Sequence, residues 1–351
     1  MTHPTPGTVN WPSMPKALLH EHLDGGLRAQ TLLDLCAERG IAVPAGSAAE
    51  LAQWMQSNAN SGSLVRYLQG FALTVEAMAS AAACQRVAFE AAEDALLDGC
   101  VLAEFRMAPL LLEPFGIAPE AVVEALLSGL KESRLASGLI LCAMRTDSPE
   151  ASLRTARLAA RYSDQGVVGF DLAGAELNYP PGSHQAAYRV AREAGLGLTC
   201  HAGEADLGSR VLEAAQIGAR RIGHGVNIMA PPDDTTGAAW LAEARALNLH
   251  FEVCPSSNVH TGTVASLSEH PIRRMLAAGL SVSCSTDNRL MSGVTLSEEF
   301  SSLEQHLGLS ITEAVRLTQH AIRASFLDES QHLKAMQALD QWLVRTTIEK
   351  V

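Results

Sequence analysis

The sequence predicts an α/β protein: a closed, eight-stranded parallel β/α (TIM-type) barrel with extra helices inserted after the first strand. Three observations predict it. Eight short, nearly continuous apolar runs alternate with longer helical patterns, as parallel strands buried on both faces require. Gly99, Gly138, Gly166, Gly195 and Gly279 each stand just before a run, where glycine closes a helix in the left-handed conformation. The 351 residues are 47% hydrophobic, ample for one large core. A doubly wound open sheet shares the alternation, but no glycine-rich dinucleotide turn follows the first run.

Taken in order, the chain opens with "MTHPTPGTVNWPSMP", Pro-rich and without the basic start and apolar stretch of a signal peptide. Residues 1–15 are therefore expected as a flexible tail and residues 16–351 as one domain. The strand candidates are "ALLHEHL", "CVLAEFRMA", "LILCAMR", "GVVGFDLAG", "LGLTCHAG", "RRIGHG", "LHFEVCPSS" and "LSVSCSTD". Helical patterns over 118–133, 152–162, 184–194, 209–217, 236–247 and 270–278 separate them. The insert between the first two strands runs from about Gly25 to Asp98. Within it Leu64, Leu68, Phe71, Val75 and Met78 share one helical face, and Ser63 can cap that helix. Packing on the barrel accounts for most of that face. Its place after the first strand also puts it at the barrel's C-terminal mouth, where a lid belongs.

Composition removes several functions. The net charge is −12, which makes a phosphate-backbone partner a poor expectation, so no nucleic acid is expected. The four lysines, Lys16, Lys131, Lys334 and Lys350, form no GxxxxGK[ST] loop. None lies near the end of a strand, where a Schiff base or a bridging carbamate would be built. Seven cysteines without CxxC spacing read as buried, reduced thiols, and no apolar stretch approaches membrane-spanning length. A soluble cytoplasmic protein is expected.

In such a barrel, sites form where strands end. The first strand ends on His20, His22 and Asp24, the fifth on His201 and Glu204, the sixth on His224 and the eighth on Asp287 and Asn288. A strand has a period of two, so His20 and His22 point the same way, ~6.6 Å apart along the backbone. Leaning together, two imidazoles can close to the ~3–3.5 Å between neighbouring ligands that each lie ~2 Å from a zinc ion. A lone HxH pair is more often a pair of core or cross-strand residues. His201 and Asp287 change that balance, because three imidazoles and one carboxylate suit a borderline cation such as zinc. One metal also fits what is missing: two-metal barrel hydrolases commonly bridge their ions with a modified lysine on the fourth strand, and "GVVGFDLAG" has none. The H-x-E and P-C-x-x-C signature of cytidine-type deaminases is absent too.

At this point "LLHEHLDGGLRAQTLLDL", "GVVGFDLAG", "CHAGEA", "RRIGHGV", "FEVCPSSN" and "STDNRLMSG" together resemble the motifs of the adenosine deaminase family. They stand in the family's order from about Leu18 to Arg323. The resemblance implies a zinc-dependent aminohydrolase converting adenosine or 2′-deoxyadenosine to the inosine product and ammonia, with one zinc per chain. It implies His20, His22, His201 and Asp287 as metal ligands, and His224 as the group that orients or deprotonates the attacking water. Glu204 matches the acid that protonates ring nitrogen one. That role needs a protonated carboxyl, hence a pKa raised by desolvation. A surface glutamate at a helix start is the plainer reading of Glu204, as a packed strand histidine is of His224. Gly174 matches a backbone donor to ring nitrogen three, and Asp24 a ribose hydroxyl acceptor. Leu64, Tyr67 and Leu68 match a hydrophobic lid, and His22 and Asp287 also face the substrate.

Two positions depart from the family pattern. Asn288 stands where a second aspartate is common; its amide can donate to ring nitrogen seven without any protonation. Ala175 stands where an acid is common after the glycine. Other 6-aminopurines (adenine, aminofutalosine, an N6-modified adenosine nucleotide) remain alternative substrates, as does a silent metal or purine binder. Hydrolysis of an amide, lactone or phosphotriester is disfavoured by the missing lysine. Arg289 is the one arginine near the strand ends that a phosphate could use. The oligomeric state is not legible.

Overall fold

The computed structural model describes residues 9–348. Eight parallel strands follow one another around a single sheet in the order β1 to β8. They are β1 Lys16–His22, β2 Cys100–Met107, β3 Ala136–Met144, β4 Val167–Ala173, β5 Gly197–Ala202, β6 Arg221–His224, β7 His250–Val253 and β8 Ser281–Cys284. Closure comes just beyond β8, where Glu21 bridges Asp287. There the His22 N–H donates to the Asp287 carbonyl at 2.7 Å and the Asp287 N–H to the His20 carbonyl at 2.9 Å. The expected eight-stranded barrel is therefore present, with its seam beside the candidate site.

Helices cover the strands by burying one stripe each. In Pro119–Glu132, Val122, Val123, Leu126, Leu127 and Leu130 face the barrel. Pro149–Arg161 starts where the Ser148 side chain accepts from the Ala151 N–H and proline takes the first helical position. All seven cysteines are buried and free. Among the described residues no helix is long and apolar enough to cross a membrane.

Four details differ from expectation. Residues 1–8 of the expected tail lie outside the described residues, but Val9 to Pro15 are packed. Of these, Trp11, Met14 and Pro15 are the buried ones: Trp11 donates to Glu304 Oε2 at 2.9 Å and stacks on Phe300. Gly138 lies inside β3 and closes no helix. Ser63 makes no side-chain capping bond. The single amphipathic helix expected around Leu64–Met78 is two short ones, Leu64–Gln69 and Phe71–Ala77, meeting at Gly70, a residue with little helix preference.

The barrel interior is also less apolar than the strand runs suggest. Glu104 and Arg106 from β2, Asp171 from β4, Arg221 from β6 and Glu252 from β7 are all buried inside it. Arg106 donates to Asp171 at 3.0 Å and to Glu252 at 2.6 Å. Arg221 pairs with Glu252 and Glu104, and its guanidinium lies over the Phe326 ring. Charges taken from water must be paired to be tolerated, and each of these is.

Candidate active site

The strand ends converge on one point. His20 and His22 lean to the same side of β1 with ring centroids 5.3 Å apart. His22 Nε2 lies 3.2 Å from His201 Nε2 and 3.6 Å from Asp287 Oδ1, and His20 Nε2 lies 3.3 Å from the same oxygen. Donor atoms of His20, His201, His224 and Asp287 all fall within 4.8 Å of one another. With His22, five donors face one volume.

The donor set fits a divalent cation. His20 Nδ1 is 2.9 Å from Glu252 Oε2, and His201 Nδ1 is 3.2 Å from Asp171 Oδ1. A carboxylate only accepts, so each Nδ1 carries the proton and each Nε2 turns a lone pair inward. His20 Nε2 is buried with no hydrogen-bond partner. Burial pushes His22 and His201 below the ordinary histidine range, which keeps them neutral as ligands must be. Ser257 Oγ donates to Asp287 Oδ2 at 2.6 Å and fixes that carboxylate.

The backbone accommodates this crowding at a cost. His224 and Asp287 sit at φ of 60° and 63°, in the left-handed region where non-glycine residues are strained by about 1–3 kcal/mol. A Cβ on Gly223 would lie 2.9 Å from the His20 ring and 3.3 Å from His201, so only glycine passes there. A Cβ on Gly25 would lie 1.8 Å from Asn288 Oδ1.

Beside the donors lies the acid. Glu204 is buried; Thr261 Oγ1 donates to its Oε1 at 3.2 Å, and His224 Nε2 stands 3.6 Å from its Oε2. Burial, with the negative Asp287 and Glu176 nearby, pushes its pKa well above the ordinary carboxyl range, toward the protonated form. Its loop is anchored from β4: the Glu176 carboxylate accepts the backbone N–H groups of Gly203 at 2.5 Å, Glu204 at 2.9 Å, Ala205 at 2.8 Å and Asp206 at 3.2 Å. The acid that Ala175 lacks is thus supplied one residue later, for the loop rather than the cavity.

A cavity of about 560 Å³ opens over these groups. Its wall includes His22, Asp24, Gly174, Asn288, Leu64, Tyr67 and Leu68, together with Phe71, Phe115 and Met144. Burial pushes the Asp24 carboxyl up to about 7, and both Asp24 Oδ1 and Asn288 Oδ1 lack partners. Buried polar atoms without partners in a largely apolar cavity mark where a polar ligand binds. No lysine or arginine lines the wall. Arg289 is engaged elsewhere, with Glu21 at 2.8 Å, Asp94 at 3.2 Å and the Gly26 carbonyl at 3.1 Å.

Sequence reasoning brought together His20, His22, His201, His224, Asp287 and Glu204, and the structure places all six around one point. It missed the groups that hold them: Asp171, Glu252, Arg106, Ser257, Asn258, Thr261 and Glu176. A signal existed for some. Glu104 and Arg106 stand two apart in an apolar run, so both face one side of a strand buried on both. Asp171 and Glu252 likewise interrupt apolar runs, and each had to find a partner.

Comparison with known proteins agrees with this geometry. A family model described as adenosine deaminase matches residues 15–342. The chain is 43% identical to an adenosine deaminase of Mycolicibacterium gilvum (strain PYR-GCK), covering 91% of this chain and 92% of that one. It is 42% identical to an adenosine deaminase of Mycobacterium sp. (strain JLS), over 94% and 95%. Among solved structures it resembles an adenine deaminase from Arthrobacter aurescens, with a TM-score of 0.85 at 26% identity over 94% of this chain and 99% of that one. It also resembles an Arabidopsis N6-mAMP deaminase, with a TM-score of 0.82 at 27% identity over 94% and 98%.

Proposed function

The chain belongs to the adenosine deaminase family, and from that premise we propose that it hydrolyses adenosine and 2′-deoxyadenosine to inosine and 2′-deoxyinosine, releasing ammonia. It is a hydrolase of the adenosine deaminase type, acting on a C–N bond. The observation that carries the reading is the pairing of a buried Glu204 carboxyl with a cluster of imidazole and carboxylate donors under one largely apolar cavity.

His20, His22, His201 and Asp287 would hold one zinc ion. The chemistry such an ion supplies when bound is a hydroxide nucleophile at neutral pH, the pKa of water falling from about 15.7 to about 7. The protein's own residues do the rest. Glu204 donates its proton to ring nitrogen one, which draws electron density from the six-position carbon and lets the nucleophile add there, the ring losing its aromaticity in that addition. His224, within reach of both Glu204 and the donor cluster, orients the attacking oxygen. The Gly174 N–H meets ring nitrogen three, the Asn288 amide donates to ring nitrogen seven, and Asp24 takes a ribose hydroxyl. Leu64, Tyr67 and Leu68 close over the nucleoside and exclude water.

The wall supports an uncharged substrate over a nucleotide. It has no cation to meet a phosphate, it carries Asp24 and Glu76, and Arg289 is spent on Glu21 and Asp94.

The test is an ultraviolet and ammonia-release assay across adenosine, 2′-deoxyadenosine, adenine, aminofutalosine and N6-methyl-AMP. Turnover is expected with the two nucleosides. A preference for N6-methyl-AMP would overturn the choice of substrate. Glu204→Gln should keep zinc and inosine binding while kcat falls about 10²–10⁴-fold, the usual worth of a positioned acid. Parental turnover in that variant would remove Glu204 from the reaction.

A further inference from the structure

A buried run of hydrogen bonds reaches the site from the segment between β7 and β8, and it starts at a group whose role is unambiguous. The backbone N–H of Ile272 donates to His270 Nδ1 at 3.3 Å. A backbone amide can only donate, so His270 Nδ1 is an acceptor and the proton of the neutral ring sits on Nε2. Burial, with Arg274 nearby, pushes His270 down to about 3, so the ring is neutral at any working pH. His270 Nε2 lies 3.3 Å from Asn258 Oδ1. This contact sets which way the Asn258 amide faces, because its oxygen must take the His270 proton. The other end of that amide, Nδ2, then lies 3.0 Å from His224 Nδ1 and donates to it. An Nδ1 that accepts carries no proton, so the proton of the His224 ring is on Nε2. Asn258, His270 and His224 are all buried, so solvent does not compete for these bonds.

We propose that His270 and Asn258 are positioning residues that lock His224 in its Nε2–H tautomer, so that His224 meets the attacking oxygen as a hydrogen-bond donor and not as its base. The proposal rests on the reaction assigned above and settles which of two roles His224 plays in it. It also separates His224 from its neighbours. His20 and His201 give their Nδ1 protons to carboxylates and turn lone pairs inward. His224 accepts at Nδ1 and turns a proton inward, so it has no lone pair for a cation. The same residue type, in one cluster, is sorted into ligand and donor by what stands behind each ring.

The direct test is the nitrogen-15 spectrum of the zinc-loaded full chain with labelled histidine, the His224 signals being identified by their loss in His224→Gln. The expected result is a protonated Nε2 and an unprotonated Nδ1 at neutral pH. A protonated Nδ1 on His224 overturns the proposal without any variant being needed. Asn258→Asp supplies the complementary change, since a carboxylate only accepts and draws the His224 proton onto Nδ1. Its kcat should fall about 10²–10⁴-fold, as expected when a proton-transfer site holds the wrong tautomer, with zinc content and inosine affinity unchanged. His270→Phe, which keeps the bulk and loses the donor, should show both tautomers of His224 and a smaller fall in kcat. His270→Gln, whose amide can still donate to Asn258, should restore the parental spectrum. If His270→Phe folds with His224 wholly Nε2–H and parental kcat, the relay does no positioning; if it does not fold, the Asn258→Asp spectrum decides. A parent chain that releases no ammonia from adenosine defeats the functional reading alone, because the tautomer is read independently of substrate.

Discussion

The floor of the cavity and its lid are built from opposite materials. Under the donors, Arg106 joins Asp171 and Glu252, Arg221 joins Glu252 and Glu104, and the two carboxylates hold His201 and His20 from behind. Burial alone would push Asp171 and Glu252 up. His201 and Arg106 pull the first, and Arg106 and Arg221 the second, well below the ordinary carboxyl range. Over the cavity, Leu64, Leu68 and Phe71 are half-buried, Val65 is exposed, and the two short helices meet at Gly70. Buried ion pairs are directional and leave a stranded charge when broken; apolar contacts are non-directional and strand none. The floor is therefore set before substrate arrives, while the segment proposed as a lid holds no charge that its displacement would strand. Breaking the floor should destabilise the whole protein; weakening the proposed lid should only loosen binding.

The largest effect is expected from Arg106→Met. The change leaves Asp171 and Glu252 buried with a partner removed, which typically costs about 3–5 kcal/mol. Urea unfolding should show an unfolding free energy lowered by that amount and a correspondingly lower midpoint, with zinc content reduced as His20 and His201 lose their fixed supports. An unchanged midpoint would mean that the floor is no more rigid than the lid, and the contrast would fail.

The same contrast explains what was legible in the sequence. Eight strands could be read because each is a short apolar run bounded by glycine or by a helical pattern, and the site because His20, His22, His201, His224 and Asp287 fall at strand ends. The groups behind them could not be paired by reading along the chain. Arg106 and Glu252 are 146 residues apart, and Arg221 and Glu104 are 117 apart. Only closure of the barrel brings them together. Asn258 and His270 were harder still, since a tautomer depends on three successive contacts and not on any local pattern. At the lid, the helical face was legible in Leu64, Leu68, Phe71 and Val75, but the break at Gly70 was hidden because the apolar spacing runs through it.

A second prediction sharpens the comparison through pH. His250, at the start of β7, lies between Ser281 Oγ and Ser283 Oγ, 2.9 Å from each, and burial with Arg221 nearby pushes its pKa to about 3 from an ordinary 6.5. The folded chain thus binds fewer protons than the unfolded chain between those values. Stability from this residue is fully present above about 6.5 and is lost as pH falls toward about 3. On lowering the pH to about 5, the loss is about 2 kcal/mol. Urea midpoints across that range should fall more steeply for the parent than for His250→Gln, which cannot titrate. Parallel slopes would show that this histidine is not held neutral by the strand wall.

The smallest effect belongs to the lid. Leu68 lines the cavity and is half-buried, so truncation to alanine removes roughly half the worth of a fully buried leucine, about 1 kcal/mol. If that contact forms mainly when the lid seats on a nucleoside, the cost falls on binding: KM for adenosine rises about five-fold, since 1.4 kcal/mol is a factor of ten. The unfolding midpoint and zinc content should stay at parental values, because no charge is stranded. The comparison breaks if Leu68→Ala lowers the midpoint as Arg106→Met does, for the lid would then be part of the core on which the barrel depends. It sharpens if KM alone moves, since the groups proposed to carry the proton transfer, Glu204 and His224, are held by Thr261 and Asn258 and not by Leu68.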